Sequence, residues 1–452
     1  MEKLVKWYII LWSISLIRHL TGGRLHDTDA GYVPRIVDAE LDELFAELPA
    51  LALEGPKGVG KTATGRRRVR TVISLDDAQQ RALAEASPEQ ALRVPTPVLI
   101  DEWQRVPGIW DAVRRAVDAS YVPAQFLLAG SAVPRELPVH SGAGRIVQVR
   151  MRPLALAERG IATPTVSLRA LLSGTRPDIG GSTSIALADY AREIVSSGFP
   201  AIRRLSSRTA RRQIASYLRL AVDRDVREYG VNFRRPEQVL HWMTAYAAAT
   251  STTTSLEKIR TVVSVRGGDE PSKLTTLAYR EVLERLWLLD AVPGWTPTKN
   301  SLARLTQAPK HHLVDPALAA HLLGADAAAL VQGTVSGAFV PRHATLLGQL
   351  FESLVTQSVR VYAQAAEADT YHLRTREGRQ EIDLIIQRHD QRVLALEVKL
   401  NPVVTDDDVR HLRWLQKELG DDVVDAAVIT TGRQAYRRED GIAVMPAALL
   451  GP

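Results

Sequence analysis

Two groups of residues in this 452-residue sequence have the types and spacing to do chemistry. The first is Gly55-Pro56-Lys57-Gly58-Val59-Gly60-Lys61-Thr62, which fits G-x-x-x-x-G-K-[ST] without a mismatch. It follows a strand-like run, Leu51 to Glu54, and leads into a helix that starts near Lys61. Glycines at 55, 58 and 60 let the backbone turn tightly, so that successive N–H groups point inward at an anion. The helix adds the positive end of its dipole at the same place. Lys61 can reach the β- and γ-phosphates of a nucleotide, and the Thr62 hydroxyl can ligate Mg²⁺. Residues Gly55 to Thr62, with Ala63 in the first helical turn, are therefore the expected nucleotide cradle, with ATP and Mg²⁺ as cofactors.

Forty residues after Lys61, the run Pro97 to Gln104 (PVLIDEWQ) reads as an apolar strand ending in two acids. Asp101 would hold the Mg²⁺ shell, and Glu102 would orient and deprotonate the attacking water. Taken alone, the pair could equally be two solvated acids at a strand end. Phe126 to Ser131 (FLLAGS) is a further buried-type strand, and Ser131 at its end could sense the γ-phosphate or position the water. The glycine-flexed loop Ser141 to Ile146 carries Arg145, which could neutralise charge on a phosphate of its own site or a neighbour's. It could also be a surface turn.

The second group lies near the other end. Thr370 to Arg374, Gln380 to Gln387 and Arg392 to Leu400 read as three strands, preceded by an amphipathic helix from Leu346 to Tyr362. Asp383 and, fourteen residues on, Glu397-Val398-Lys399 form a D…E-x-K arrangement. On adjacent strands the two carboxylates would hold one or two Mg²⁺ ions, and Lys399 would stabilise developing charge. Glu381 shares the face of Asp383 because side chains alternate along a strand, and Glu352 on the helix is a fourth candidate acid. An acid and a lysine inside LALEVKL sit poorly with a merely solvent-facing hairpin, since unpaired buried charge is expensive.

The length implies more than one domain. Alternating strands and helices as far as Gln148 predict a parallel sheet covered on both faces, with its ligand at the carboxyl ends of the strands. From Ile185 the strand signal fades into helices. Leu256 to Val263, Ser272 to Leu286 and the extended Leu288 to Val292 resemble a winged helix-turn-helix, a module that reads DNA or packs against protein. The expected organisation is an N-terminal extension (1–30), a P-loop domain (31–185), a helical and winged-helix-like region (186–340) and a small α/β domain (341–452).

The sequence has no cysteine, which excludes disulfides, thiolate metal sites and a cysteine nucleophile, and fits a reducing cytoplasm. Net charge is +6, and residues 201–235 carry ten arginines against three acids. That block is either a solvated helix surface or a footprint for the phosphate backbone of DNA or RNA. The apolar run WYIILWSISLI near the start is shorter than the roughly 20 residues that cross a bilayer. It reads as an appendage to a domain beginning near Gly31, with a membrane-interface anchor as the alternative. His311 and His312, adjacent in sequence, read as ordinary polar residues.

Taken in order, GPKGVGKT, LIDEWQ (99–104), LLAGS (127–131), GR (144–145), SGFP (197–200), APKHHLVDPAL (308–318), GQLFE (348–352), EID (381–383) and LEVK (396–399) resemble a bacterial family of AAA-type ATPases. Its members join a P-loop domain to a C-terminal region of unknown function whose end is similar to the PD-(D/E)xK nuclease core. The resemblance spans about Tyr32 to the end and implies ATP binding, slow hydrolysis and a cytoplasmic location. No arginine of the helical region matches the second sensor of ring-forming AAA proteins. Two functions follow as expectations. One is an ATPase whose nucleotide state regulates a nuclease-like domain acting on nucleic acid. The other is a nucleotide-gated protein-interaction switch in which that domain is a catalytically silent platform, with a protein partner or self-association as its output.

Overall fold

Two apolar strands with no alternation, Val98–Asp101 and Phe126–Gly130, are buried along their whole length, as a sheet covered on both faces requires. The computed structural model describes residues 31–134, 138, 141–228, 236–264, 270–296, 308–333, 346–375 and 378–452. The apolar N-terminal run therefore lies outside the described residues. Arg35–Pro452 forms a single unit.

The first sheet contains β1 (Ala50–Glu54), β2 (Thr71–Ser74), β3 (Val98–Asp101), β4 (Phe126–Gly130) and β5 (Val147–Arg150) in the order β2-β3-β4-β1-β5. Every pairing is parallel. The strand carrying the phosphate loop thus lies one strand away from the strand carrying Asp101, and β4 between them delivers Ser131. All three motifs emerge at one edge. A short β6 (Val166–Ser167) leaves this layer.

Helices follow at Leu187–Val195, Ser207–Leu220, Pro236–Ala248, Leu256–Ser264 and Lys273–Arg285, with Ser272 capping the last through Thr275 N–H. A single π-helical turn, Ala221–Asp225, interrupts the arginine-rich helix. After Lys273–Arg285 the chain extends, and Val292 and Lys310 exchange backbone hydrogen bonds, each 2.9 Å.

The second sheet runs β11-β12-β10-β9-β8-β7, built from β7 (Asp369–Arg374), β8 (Glu381–Gln387), β9 (Val393–Lys399), β10 (Val423–Thr430), β11 (Tyr436–Arg437) and β12 (Ala443–Pro446). β7, β8 and β9 are antiparallel, whereas β9, β10 and β12 are parallel. The helix Leu346–Ala365 buries its stripe of Leu347, Leu350, Phe351, Leu354, Val355 and Val359. The last strand, β13 (Leu450–Gly451), returns to pair with β6.

Charged groups, not only apolar ones, join these parts. The carboxylate of Asp290 receives Arg152 at 2.8 Å from the exit of β5 and Arg360 at 3.3 Å from the helix Leu346–Ala365. Arg150 stacks on Trp287, 3.7 Å from the ring centre. Arg68 pairs with Asp38 and Asp42 of the helix Val37–Glu47 at 3.0 and 2.7 Å. Burial works to raise the Asp290 pKa, yet Arg152, Arg360 and Arg150 outweigh it and hold the carboxylate well below the usual range. Such a group contributes stability above its unfolded pKa of about 4 and loses it as pH falls below that value. Asp290→Ala leaves two arginines unpaired and should cost about 3–5 kcal/mol in chemical denaturation at pH 7. The difference from wild type should shrink below about pH 4.

Candidate nucleotide site and a second acidic cluster

The phosphate loop is shaped by close backbone approach. A Cβ on Gly55 would lie 2.2 Å from the Met151 carbonyl oxygen, so no other residue fits there. Gly60 turns at φ +111°, a conformation open to glycine, immediately before the helix Lys61–Arg66 begins. Val59 is buried in the core, while Lys57 and Gly58 face solvent and Ala63 is exposed on the first turn. The guanidinium of Arg35 donates to the Val59 carbonyl at 3.0 Å and to Glu158 at 3.1 Å, pinning the loop from behind.

Lys61 is 5% exposed and donates to the carbonyl oxygens of Gly55 at 2.8 Å and Pro56 at 3.0 Å. Burial pushes its pKa down to about 8, against the pull of Glu102 and Asp101. The ammonium is therefore held by weak dipoles that phosphate oxygens can replace. The Thr62 hydroxyl donates to Asp101 at 3.0 Å. Burial raises the Asp101 pKa, with the Thr62 bond opposing it. A hydroxyl and a carboxylate facing each other beside the loop form the hard oxygen set that suits Mg²⁺ with a nucleotide. Such an ion would neutralise developing charge on the phosphates.

Glu102 adopts φ +56°, strained for a side-chain-bearing residue, directly after β3. Its carboxylate accepts the Ser131 hydroxyl at 2.6 Å and the Gln104 amide, which also donates to Ser131 at 3.1 Å. Lys61, Thr62, Asp101, Glu102 and Ser131 are thus brought together. Gln104 was missed by sequence reasoning, although it is the last residue of the quoted LIDEWQ run. Arg145 is not brought there. It precedes β5, whose Val147 pairs with Leu51 near the amino end of β1, at the opposite edge from the loop. It pairs with Asp118 at 2.8 Å, so it cannot serve its own phosphate site from this position.

A cleft of about 440 Å³ opens beside Lys57, Glu102, Gln104 and Ser131, and its far wall is Tyr217 and Asp225 of the helical region. Lys57 and Asp225 meet at 3.0 Å. Asp225 sits on the π-helical turn, and only the fold could bring it to the loop.

The second cluster also assembles. The register that pairs Leu384 with Leu396 sets Asp383 beside Glu397. Asp383 accepts Val398 N–H at 2.9 Å, and Lys399 pairs with Glu397 at 2.9 Å. Glu352 reaches the same place from its helix. Between them stands a residue given no role by the sequence reading. Lys310, 1% exposed, places its ammonium 2.8 Å from both Glu352 and Asp383 and 3.6 Å from Glu381.

Burial opposes the Lys310 charge, but Asp383, Glu352 and Glu381 outweigh it and raise its pKa well above the ordinary value. One ammonium cannot hold both near carboxylates fully ionised. Burial alone would raise the Asp383 pKa, yet Lys310 and Lys399 bring it below the usual range. Glu352 and Glu397 are pushed up to about 8 by burial and by the charge on Asp383. A divalent ion expected at Glu352, Asp383 and Glu397 does not fit this arrangement, because its place among the oxygens is taken by a cation. Among the described residues no group of three or more His, Cys, Asp or Glu could hold a metal ion. His311 and His312, expected as ordinary polar residues, are buried and bonded to Thr254 O and Ser353 Oγ at 2.7 and 3.2 Å. Their backbone lies in the bridge that carries Lys310.

Residues 47–159 match the AAA domain family, 187–329 a domain of unknown function (DUF8612) and 347–450 a domain of unknown function (DUF4143). Uncharacterized proteins of Mycobacterium tuberculosis and Mycobacterium bovis are each 31% identical over 134 residues. The match spans 27% of this chain and 29% of each relative's length. Among solved structures, a Walker-type ATPase of Pyrococcus abyssi aligns over 63% of this chain and 94% of its own, at 16% identity and TM-score 0.37. The ORC2 protein of Aeropyrum pernix, in its ADPNP and ADP complexes, aligns over 60% and 92%, at 15% identity and TM-score 0.28. The first sheet, with its phosphate loop, lies within the residues that match the AAA domain family, and its parallel strands resemble those of a nucleotide-binding P-loop ATPase. Among the described residues no helix is long and apolar enough to cross a membrane.

Replacing Glu102 with Gln should leave MgATP binding intact and slow hydrolysis by roughly 10²–10⁴-fold in a phosphate-release assay. Lys61→Ala should instead weaken MgATP binding by about 10–150-fold in calorimetry, the worth of a charge-assisted hydrogen bond.

Proposed function

We propose that this chain is a Mg²⁺-dependent ATPase that works as a switch. Nucleotide state at the phosphate loop is read by the helical region and passed to the C-terminal sheet, which serves as an interaction platform. The observation that carries this reading is the Lys57–Asp225 contact across the cleft beside Glu102. A triphosphate entering the loop competes for Lys57 and so changes the charge that faces Asp225, on the π-helical turn that ends the arginine-rich helix. From there the path is contiguous: Lys273–Arg285 packs near the site, with Val133 N–H bonded to the Arg285 carbonyl at 3.0 Å. The extended segment that follows carries Asp290 and, through its bridge at Val292, the strand bearing Lys310.

A second reading, binding of DNA or RNA, is favoured by one observation. Arg208, Arg211, Arg212 and Arg219 are all exposed on the helix Ser207–Leu220. A helix face of this kind neutralises phosphates and makes affinity fall steeply with salt.

The test is a MgATP titration of the full chain followed by calorimetry, with hydrogen exchange of residues 207–228 as the second readout. Binding with faster exchange in that segment is expected in wild type. In Asp225→Ala the segment should exchange fast with or without nucleotide. Absence of any heat with adenosine or guanosine triphosphate overturns the reading. Salt-dependent DNA or RNA affinity that drops at least tenfold in an Arg211, Arg212 and Arg219 triple alanine variant would establish the second reading.

A further inference from the structure

We infer that the acidic cluster of the C-terminal sheet is a cation site whose cation is the protein's own Lys310, a tethered ammonium standing where a divalent metal would bind. The inference is independent of the nucleotide switch and rests on the placement of four side chains. Glu352, Asp383 and Glu381 converge on one nitrogen at 2.8, 2.8 and 3.6 Å, from one helix and one strand. Lysine is among the residues least often fully buried, and this one is.

The lysine is not a wandering surface residue caught among acids. Its backbone is bonded to Val292 in both directions, and the next residue is held on both sides as well. His311 N–H donates to the Thr252 carbonyl at 2.9 Å, and its carbonyl accepts Ser251 N–H at 2.8 Å. His372, on β7, donates its Nε2–H to the Ala308 carbonyl, 2.9 Å away. The backbone that carries Nζ into the cluster is therefore fixed.

Mg²⁺ demands oxygens at about 2.0–2.1 Å in near-octahedral array, and Mn²⁺ prefers the same hard oxygen set. An ammonium sits at hydrogen-bond distance and asks for no such closure. With Nζ seated between Glu352 and Asp383, a divalent ion bound to the same oxygens would lie within a few ångströms of a positive charge in a buried site. Repulsion of that kind excludes it. The substitution also has a structural consequence: the ammonium bolts the strand from the helical region onto the second sheet.

The experiment uses the full chain without nucleotide and Mn²⁺ as the probe, followed by electron paramagnetic resonance. Wild type is expected to show no bound Mn²⁺ that depends on Asp383, so wild type and Asp383→Asn should give the same titration. Lys310→Ala should gain one Mn²⁺ site, lost again in Lys310→Ala/Asp383→Asn. Its melting temperature should fall by several degrees and recover with millimolar Mn²⁺. Wild type that binds Mn²⁺ through Asp383 overturns the inference, and this comparison needs no change at Lys310. A folded Lys310→Ala protein that takes up no Mn²⁺ overturns it as well.

Discussion

A charge taken out of water has to be met by opposite charge or by dipoles, and this protein places its buried charges where its parts join. Lys61 is met by loop carbonyls, Asp290 by arginines from two other segments and Lys310 by carboxylates of the second sheet. Each cluster is costly to break, because removing one partner strands the other in a poorly hydrated place. Apolar packing makes the layers compact, but it is indifferent to small sliding. The ion pairs are not, and they fix which segment faces which.

That distribution gives the molecule a line of mechanical contact from one end to the other. The phosphate loop touches Asp225, the loop after β4 bonds to the end of Lys273–Arg285, and the extended segment beyond carries Asp290 and lies against the Lys310 strand. The terminal strand then returns to pair with β6, closing the C-terminal sheet onto the segment that leaves the first sheet. The contact at Lys57 is the softest of these, since Lys57 is half exposed and its pair is screened by solvent.

Much of this was legible in the chain. The strand at Val98–Asp101, the strand at Phe126–Gly130, the helix Leu346–Ala365 and the three strands around Asp383 fall within a few residues of the apolar patterns that announce them. These elements are governed by local periodicity, and the phosphate loop by glycines whose conformations few other residues can take. Arg145 shows the limit of such reading: a glycine-flexed loop with one arginine says nothing about which edge of a sheet it emerges from. Gln104 was in plain sight two residues after Glu102, but an amide carries no motif.

By itself, then, the sequence determined the elements, the phosphate loop and the placing of acids and lysine on neighbouring strands, because each follows from spacing within a short stretch. Tertiary structure alone decided that Asp225 would meet Lys57, that Asp290 would gather two arginines and that Lys310 would enter the carboxylate cluster. Those partners lie from 42 to 168 residues apart. Only the folding of separate segments onto one another, driven by burial with no sequence period of its own, brings such charges within reach.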